Sequence, residues 1–546
     1  MASRTRVAKT VLAVSAAALT LVLLNQCSQG PQFAFPESGG AYERGRALAV
    51  PTDTTEVAIL MPSLQDEGTA REQYQEVPVN PFLAVAEQPV STFSIDVDSA
   101  SYANVRRFLN DGVLPPAGAV RVEELVNYFD YDYARPNGAE RPFRADVAVF
   151  DSPWNADRQI VRIGLQGRDL ARTARPRANL VFLVDTSGSM EDRDKLPLVQ
   201  RSLRLLVDEL EPDDSIAIVA YAGFAGVVLE PTPVAERGAI LRAIGRLDSG
   251  GGTAGAEGLR TAYELAEQEL DPAAINRVIL ATDGDFNIGI SDPERLSEFV
   301  ARKRETGIYL SVLGFGRGNL NDFMMQRLAQ TGNGNAAYID SLMEARRVLV
   351  DQLAATLFPI ADDVKVQIEF NPALVAEYRL IGYETRRLAR QDFANDRVDA
   401  GEVGSGHAVT ALYEITAPDS AARLLEDLRY GTRVEPAGGA AHRGELAFLR
   451  LRYKLPGEAE SRLMEQPIPA AGVTGFAEAP ANARFAVAVA GFGQRLRRDP
   501  NIGDFGWDEV MRIARDARGK DDDGYQAEFL RLVQMAESAA ALETLN

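Results

Sequence analysis

From Asn179 onward the chain alternates short apolar runs with amphipathic stretches for about 180 residues, and that alternation leaves few folds open to it. Leu180 to Val184 is unbroken apolar sequence, as expected of a strand covered on both faces. A helix is predicted over 195–210, with Leu198, Leu203, Leu206 and Leu210 near one stripe. Further strands are predicted over 215–221, 227–231, 277–281, 308–313 and 337–339, and helices over 239–247, 259–270, 293–305, 320–331 and 342–357. Such a series implies an α/β, Rossmann-like, doubly wound domain: a parallel sheet with helices on both faces.

On either side of that series the period falls to two. Strands are predicted over 144–150 and 159–165, joined by the turn-rich Asp151-Ser152-Pro153-Trp154-Asn155. After Pro359, Val364, Val366, Ile368 and Phe370 alternate with polar residues, as do Val409, Ala411, Tyr413 and Ile415, then Ala447, Leu449, Leu451 and Tyr453. Half-buried antiparallel strands read this way. The ends of an α/β domain lie close together, so it can be an insertion. The flanking strands at 144–165 and 364–453 are therefore expected to pair into one discontinuous β-sandwich carrying the α/β domain. A strand over 92–97 and helices over 101–109 and 120–128 precede it; a helical region over 482–496, 507–517 and 525–542 ends the chain.

At roughly 100–200 residues per domain, 546 residues allow three or so folded units. The expected divisions are a signal peptide (1–26), a flexible linker (27–89), an N-terminal α+β domain contributing strands to the sandwich (90–175), the α/β domain (176–357), a β-rich domain (358–475) and the C-terminal helical region (476–546).

The signal reading rests on Arg4, Arg6 and Lys9, followed by an apolar stretch from Val11 to Leu24 that is short for a bilayer span. Cys27 follows at once, so the start resembles a bacterial lipoprotein signal, which implies lipidation at Cys27. Asn25 and Gln26 stand where that signal has small residues, which leaves an ordinary cleaved signal or an uncleaved anchor as alternatives. In such lipoproteins an Asp after the cysteine implies inner-membrane retention; Ser28 in that place implies the outer membrane. The chain is thus expected in the bacterial cell envelope, lipid-anchored and periplasmic or at the outer membrane.

The formal net charge is −20, and the first 26 residues carry three basic and no acidic side chains, so the remainder stands at −23. A surface that acidic repels phosphate backbones, which argues against nucleic acid as partner. One cysteine excludes an internal disulfide, and Cys27 with His407 and His442 cannot make up a four-ligand zinc site. Neither histidine has a nucleophile-like context, so no catalytic residues are expected and the chain is not read as an enzyme.

What remains is oxygen chemistry at strand ends. Asp185-Thr186-Ser187-Gly188-Ser189 follows directly on the buried strand 180–184, and the carboxyl end of a central strand is where ligands bind in a doubly wound sheet. The strand 277–281 ends in Thr282-Asp283-Gly284, at the same edge. Between them lies Ser249-Gly250-Gly251-Gly252-Thr253, a glycine-rich loop with a further hydroxyl. Carboxylates and hydroxyls are hard ligands, suited to Mg²⁺ or Mn²⁺, with Ca²⁺ as a further candidate. Singly, each of these segments is ordinary turn and cap chemistry.

Taken together, Asp-x-Ser-x-Ser, a later Thr in a glycine-rich loop, and a later Thr-Asp-Gly after a strand resemble the metal-ion-dependent adhesion site of von Willebrand factor type A (VWA) domains, over about residues 176–357. The resemblance implies that Ser187, Ser189 and Thr253 bind the metal directly, and that Asp185 and Asp283 do so directly or through water. It also implies an open coordination position that an Asp or Glu from a protein partner fills.

Two motifs imitate other chemistry. Residues 283–294 resemble a twelve-residue calcium loop, but Ile288 stands where glycine is needed and a strand precedes it. Asp96-Val97-Asp98 resembles an aspartate-nucleophile motif, but Ala100 stands where threonine is wanted; Asp98 or Ser99 is expected instead to cap the next helix. Finally, the stretches 94–107 (Ser94-Ile95-Asp96-Val97-Asp98 through Arg107) and 401–414 (Gly401-Glu402-Val403-Gly404 through Glu414) resemble the signatures of the YfbK-like family of exported bacterial VWA lipoproteins. That family carries no settled biochemical activity over to this chain; the adhesion-site resemblance and the signal together imply metal-dependent protein binding in the envelope. A scaffold without a working metal site is the alternative.

Overall fold

The computed structural model describes residues 72–95, 98–138, 141–252, 254–284, 293–318, 320–429, 442 and 444–543. The expected flexible linker is shorter than its predicted end at residue 89. From Glu72 the chain is laid onto the fold: Glu72 pairs with Arg107 at 2.7 Å, Leu83–Ala84 forms a strand, and buried Asn80 donates to the carbonyls of Leu380 and Gly382. Polar, proline-containing sequence without a period looked like tether. Its order comes from long-range bonds that no local pattern announces.

The α/β domain is built on a six-stranded sheet in the order Ala336–Ile339, Ile308–Phe315, Ile275–Thr282, Ala178–Asp185, Ser215–Tyr221, Ala225–Pro233. The central strand is buried along its whole length, which explains its unbroken apolar run. The sheet is mixed, and this corrects the all-parallel expectation. Ala225–Pro233 runs antiparallel to Ser215–Tyr221, because residues 222–224 make a hairpin and a parallel return would need a crossover of a dozen or so residues. The helix expected over 342–357 divides into Leu342–Arg346, a π turn over Arg347–Asp351, and Leu353–Leu357.

Strands from both sides of this domain pair with one another. Gln159–Gly167 pairs antiparallel with Ala408–Thr416, and Val90–Ser94 with Pro359–Phe370. One flanking sheet runs Leu83–Ala84, Glu377–Ile381, Ala408–Thr416, Gln159–Gly167, Phe143–Asp151. The other runs Val403–Gly404, Pro359–Phe370, Glu445–Lys454, Arg462–Pro469, with Val90–Ser94 on Pro359–Phe370. Ile163 and Tyr413 of the first sheet share a core with Val366 and Leu449 of the second, so the two sheets form a sandwich. The outer face of the first sheet, at Phe150, Ile160 and Leu412, packs on Tyr102, Leu125, Phe485 and Phe529 of the N- and C-terminal helices.

Two strands have no clear period in the sequence. Glu377–Ile381 buries both its charged residues: Glu377 accepts the N–H groups of Leu424 and Leu425, and Arg379 reaches Glu414 and Asp499. Arg462–Pro469 is a largely exposed edge strand carrying Pro467 and Pro469, which edges tolerate.

Candidate metal centre

Register brings Asp185 and the strand end that precedes Asp283 to one edge of the sheet. The central strand lies between two parallel neighbours, with Val184 beside Ala281 and Asp185 beside Tyr221. The segments beginning at Asp185 and Thr282 therefore leave the sheet side by side. Asp185 and Asp283 are both fully buried.

Asp185 is locked in place. Its Oδ1 accepts the Ser187 N–H at 2.9 Å; its Oδ2 accepts the Tyr221 hydroxyl at 3.1 Å and the Thr282 hydroxyl at 3.3 Å. Burial pushes its carboxyl above the ordinary carboxylate range; the bonds from Ser187 oppose that shift and the nearby Asp283 adds to it. A buried carboxylate held near a second one gains from a cation between them.

Ser187 and Ser189 turn their hydroxyls together, 3.0 Å apart. That is a hydrogen-bond length, and it also matches the roughly 3.0 Å edge of an octahedron with metal–oxygen distances of about 2.1 Å, so both hydroxyls can serve one small divalent ion. The glycine-rich loop is laced to them: Gly250 N–H donates to the Thr186 carbonyl at 2.8 Å and Gly188 N–H to the Gly251 carbonyl at 3.2 Å. Gly251 sits at φ +83°, where a Cβ would also come 3.2 Å from the Gly223 nitrogen, so glycine is needed there. Thr253 lies outside the described residues, as do Cys27, Asp96 and most of the loop that imitates a calcium site.

Among the described residues no group of three or more His, Cys, Asp and Glu side chains is arranged to hold a metal. An ion at this edge therefore depends on hydroxyls as well as the two carboxylates, which is the donor set a hard cation accepts.

The edge holds one further residue that the motifs do not name. Lys195, the predicted start of a helix, directs its buried ammonium onto Asp283 Oδ2 at 3.0 Å. The only sequence signal was a lysine at the head of an otherwise apolar helix face, which reads as solvated. Asp98 is also a correction. It accepts the Ala336 N–H and the Arg386 guanidinium, both at 2.8 Å, and Ser99, at the N-cap of Ala100–Asn110, makes no side-chain cap bond. The cap expectation fails because Asp98 is recruited across the fold.

A mixed Rossmann-like sheet with these three loops at its carboxyl edge defines a VWA domain. The von Willebrand factor type A domain family matches residues 179–352, a von Willebrand factor family matches 68–162, and the YfbK C-terminal family matches 355–539. YfbK of Escherichia coli (strain K12) is 44% identical over 501 residues, spanning 90% of this chain and 86% of that one. The chain belongs to the YfbK family of VWA proteins. The protein sll0103 of Synechocystis is 29% identical over 338 residues, 60% of this chain and 74% of its own. Among solved structures, von Willebrand factor type A from Catenulispora acidiphila covers 71% of this chain and 89% of its own length at 18% identity, with a TM-score of 0.41. Among the described residues no helix is long and apolar enough to cross a membrane.

Proposed function

We propose that this chain is a divalent-metal-dependent protein-binding module of the bacterial cell envelope. Its VWA domain points to protein–protein interaction or adhesion in the broad sense. The finer reading is that Asp185, Ser187, Ser189, Thr253 and Asp283 hold Mg²⁺ or Mn²⁺, and that a carboxylate from a partner completes the coordination. The observation that carries it is the pair of hydroxyls 3.0 Å apart beside two buried carboxylates at one sheet edge. When bound, the ion supplies an electrophilic point for a carboxylate oxygen. The chain's own residues orient the ligands: Tyr221 and Thr282 fix Asp185, and the Gly250 and Gly188 bonds fix the two serine-bearing and glycine-bearing loops against each other.

Calorimetric titration of Mg²⁺ into the full chain tests this. Heat is expected from the native protein and is lost on Asp185→Ala; a native protein that gives none, both without and with acetate as a stand-in carboxylate, ends the metal reading. A scaffold role without metal is favoured by one observation, the Lys195 ammonium already seated on Asp283. The same titration separates the two.

Envelope anchoring through Cys27 is part of the proposal, supported by the basic and apolar start of the chain. Incorporation of labelled palmitate, abolished by Cys27→Ala, is the expected result; equal labelling of both proteins, or of neither, removes the anchor.

A further inference from the structure

Lys195 is built into the metal edge with more care than a surface lysine receives. It directly precedes helix Leu196–Glu209, and its carbonyl accepts the N–H groups of Leu198 and Val199 at 2.8 and 2.9 Å, so its backbone is tied to the first turn. Its N–H donates to the Asp192 carbonyl at 3.0 Å. The side chain is only 5% exposed.

The path of the stem is cut through Gly316. A Cβ on that residue would stand 2.2 Å from the Lys195 Cγ, 2.5 Å from Cε and 2.8 Å from Cδ, and Gly316 is at φ +73°, where a side chain would be strained in any case. The Gly316 carbonyl is itself held, accepting the buried Tyr338 hydroxyl at 2.8 Å. The ammonium thus arrives at Asp283 through a channel that only glycine leaves open.

The electrostatics follow from the geometry. Among the described residues, Asp185, Asp283 and Lys195 form a trio with one net negative charge. A divalent ion seated there would bring it to one net positive charge, where without the lysine it would be neutral. A fixed cation close to the ion lowers the affinity of the bare site for metal and raises the attraction of the loaded site for an anionic ligand. Binding free energies are reciprocal, so whatever favours the carboxylate on the loaded site also tightens the metal.

We infer that Lys195 is the counter-cation of this metal centre, weakening its hold on a bare divalent ion and coupling metal binding to the arrival of a partner's carboxylate. This rests on the metal reading above and says how that site is regulated. Lys195 touches Asp283 and, by this inference, acts through charge as a positioning and affinity-setting residue.

Mg²⁺ calorimetry on the full chain, native and Lys195→Met, tests it. Methionine keeps the apolar stem and removes the charge. The variant is expected to bind Mg²⁺ roughly tenfold more tightly or better, the order of effect of one unit charge at such range. A variant that unfolds in EDTA and refolds with Mg²⁺ supports the inference as well, since the ion then replaces the missing ammonium. Native protein that binds Mg²⁺ while Lys195→Met binds it equally or more weakly overturns it, and leaves the metal reading standing. Heat from neither protein, without or with acetate, overturns both. A second measurement needs no variant: at constant ionic strength, sodium acetate in place of sodium nitrate is expected to tighten Mg²⁺ binding to the native chain several-fold, and equal affinity in the two salts counts against the coupling.

Discussion

The carboxyl edge of the VWA sheet and the junction around Arg106 both bury carboxylates, and they neutralise them in opposite ways. At the junction, Arg106 bonds Asp340 and Glu344, each at 2.8 Å, and Glu528 at 3.1 Å, while Arg347 bonds Glu344 at 3.2 Å. Arg106 belongs to the N-terminal helix Ala100–Asn110, Glu344 and Arg347 to the helical segments Leu342–Arg346 and Arg347–Asp351 of the VWA domain, with Asp340 just before them, and Glu528 to the C-terminal helix Tyr525–Glu543, so one cluster ties three parts of the chain. Burial raises the Glu344 carboxyl, but Arg106 and Arg347 outweigh it and hold the group below its ordinary range. At the sheet edge burial prevails, and the Asp185 carboxyl is pushed up. The junction is closed: planar guanidinium forks answer the carboxylates. The edge has a lysine for Asp283 and hydroxyls for Asp185. Arginines answer the buried carboxylates of one region; a lysine and neutral donors answer those of the other.

The largest expected effect breaks the comparison directly. Glu344→Ala removes the buried carboxylate that Arg106 and Arg347 share and is expected to cost about 3–5 kcal/mol in urea unfolding. In EDTA, Asp185→Ala is expected to cost far less, because it removes a carboxyl that burial already disfavours. Equal losses for the two variants would mean the regions do not differ as described.

A smaller effect sharpens it. Glu123, buried in the N-terminal flank, has among the described residues neither a hydrogen-bond partner for its Oε2 nor a paired guanidinium, and burial, with Glu384 and Glu124 nearby, pushes its carboxyl from 4.5 to about 7. Here a proton does what arginine does at Glu344. The sign follows from proton counting: between 4.5 and about 7 the native state holds a proton that the unfolded chain releases. Stability from this group is therefore complete below 4.5 and is lost as pH rises through about 7. Glu123→Gln is expected to flatten that part of the pH profile of the unfolding midpoint and to stabilise the protein above it. An unchanged slope in the variant would remove Glu123 from the comparison.

Much of this was legible in one dimension. Asp185, Ser187 and Asp283 could be named because they follow apolar runs that only buried parallel strands explain, and strand ends in such sheets face ligands. The period of two over Val364 to Phe370 likewise marked a strand, but its expected half-exposure fails, because Lys365 and Gln367 on the polar face are covered too. Glu377–Ile381 was illegible because its charged residues are buried with partners from distant segments. The antiparallel turn at 222–224 was hidden inside an otherwise alternating series.

What the sequence settled by itself was therefore local: the periods that make strands and helices, and the oxygen-bearing residues at strand ends. Only the folded chain decided which strands meet across the inserted domain, and that Lys195 reaches Asp283, 88 residues away, over a glycine from a third segment. Period and residue type are written into neighbouring positions, whereas a contact between distant ones exists only once the sheet has fixed the distance between them.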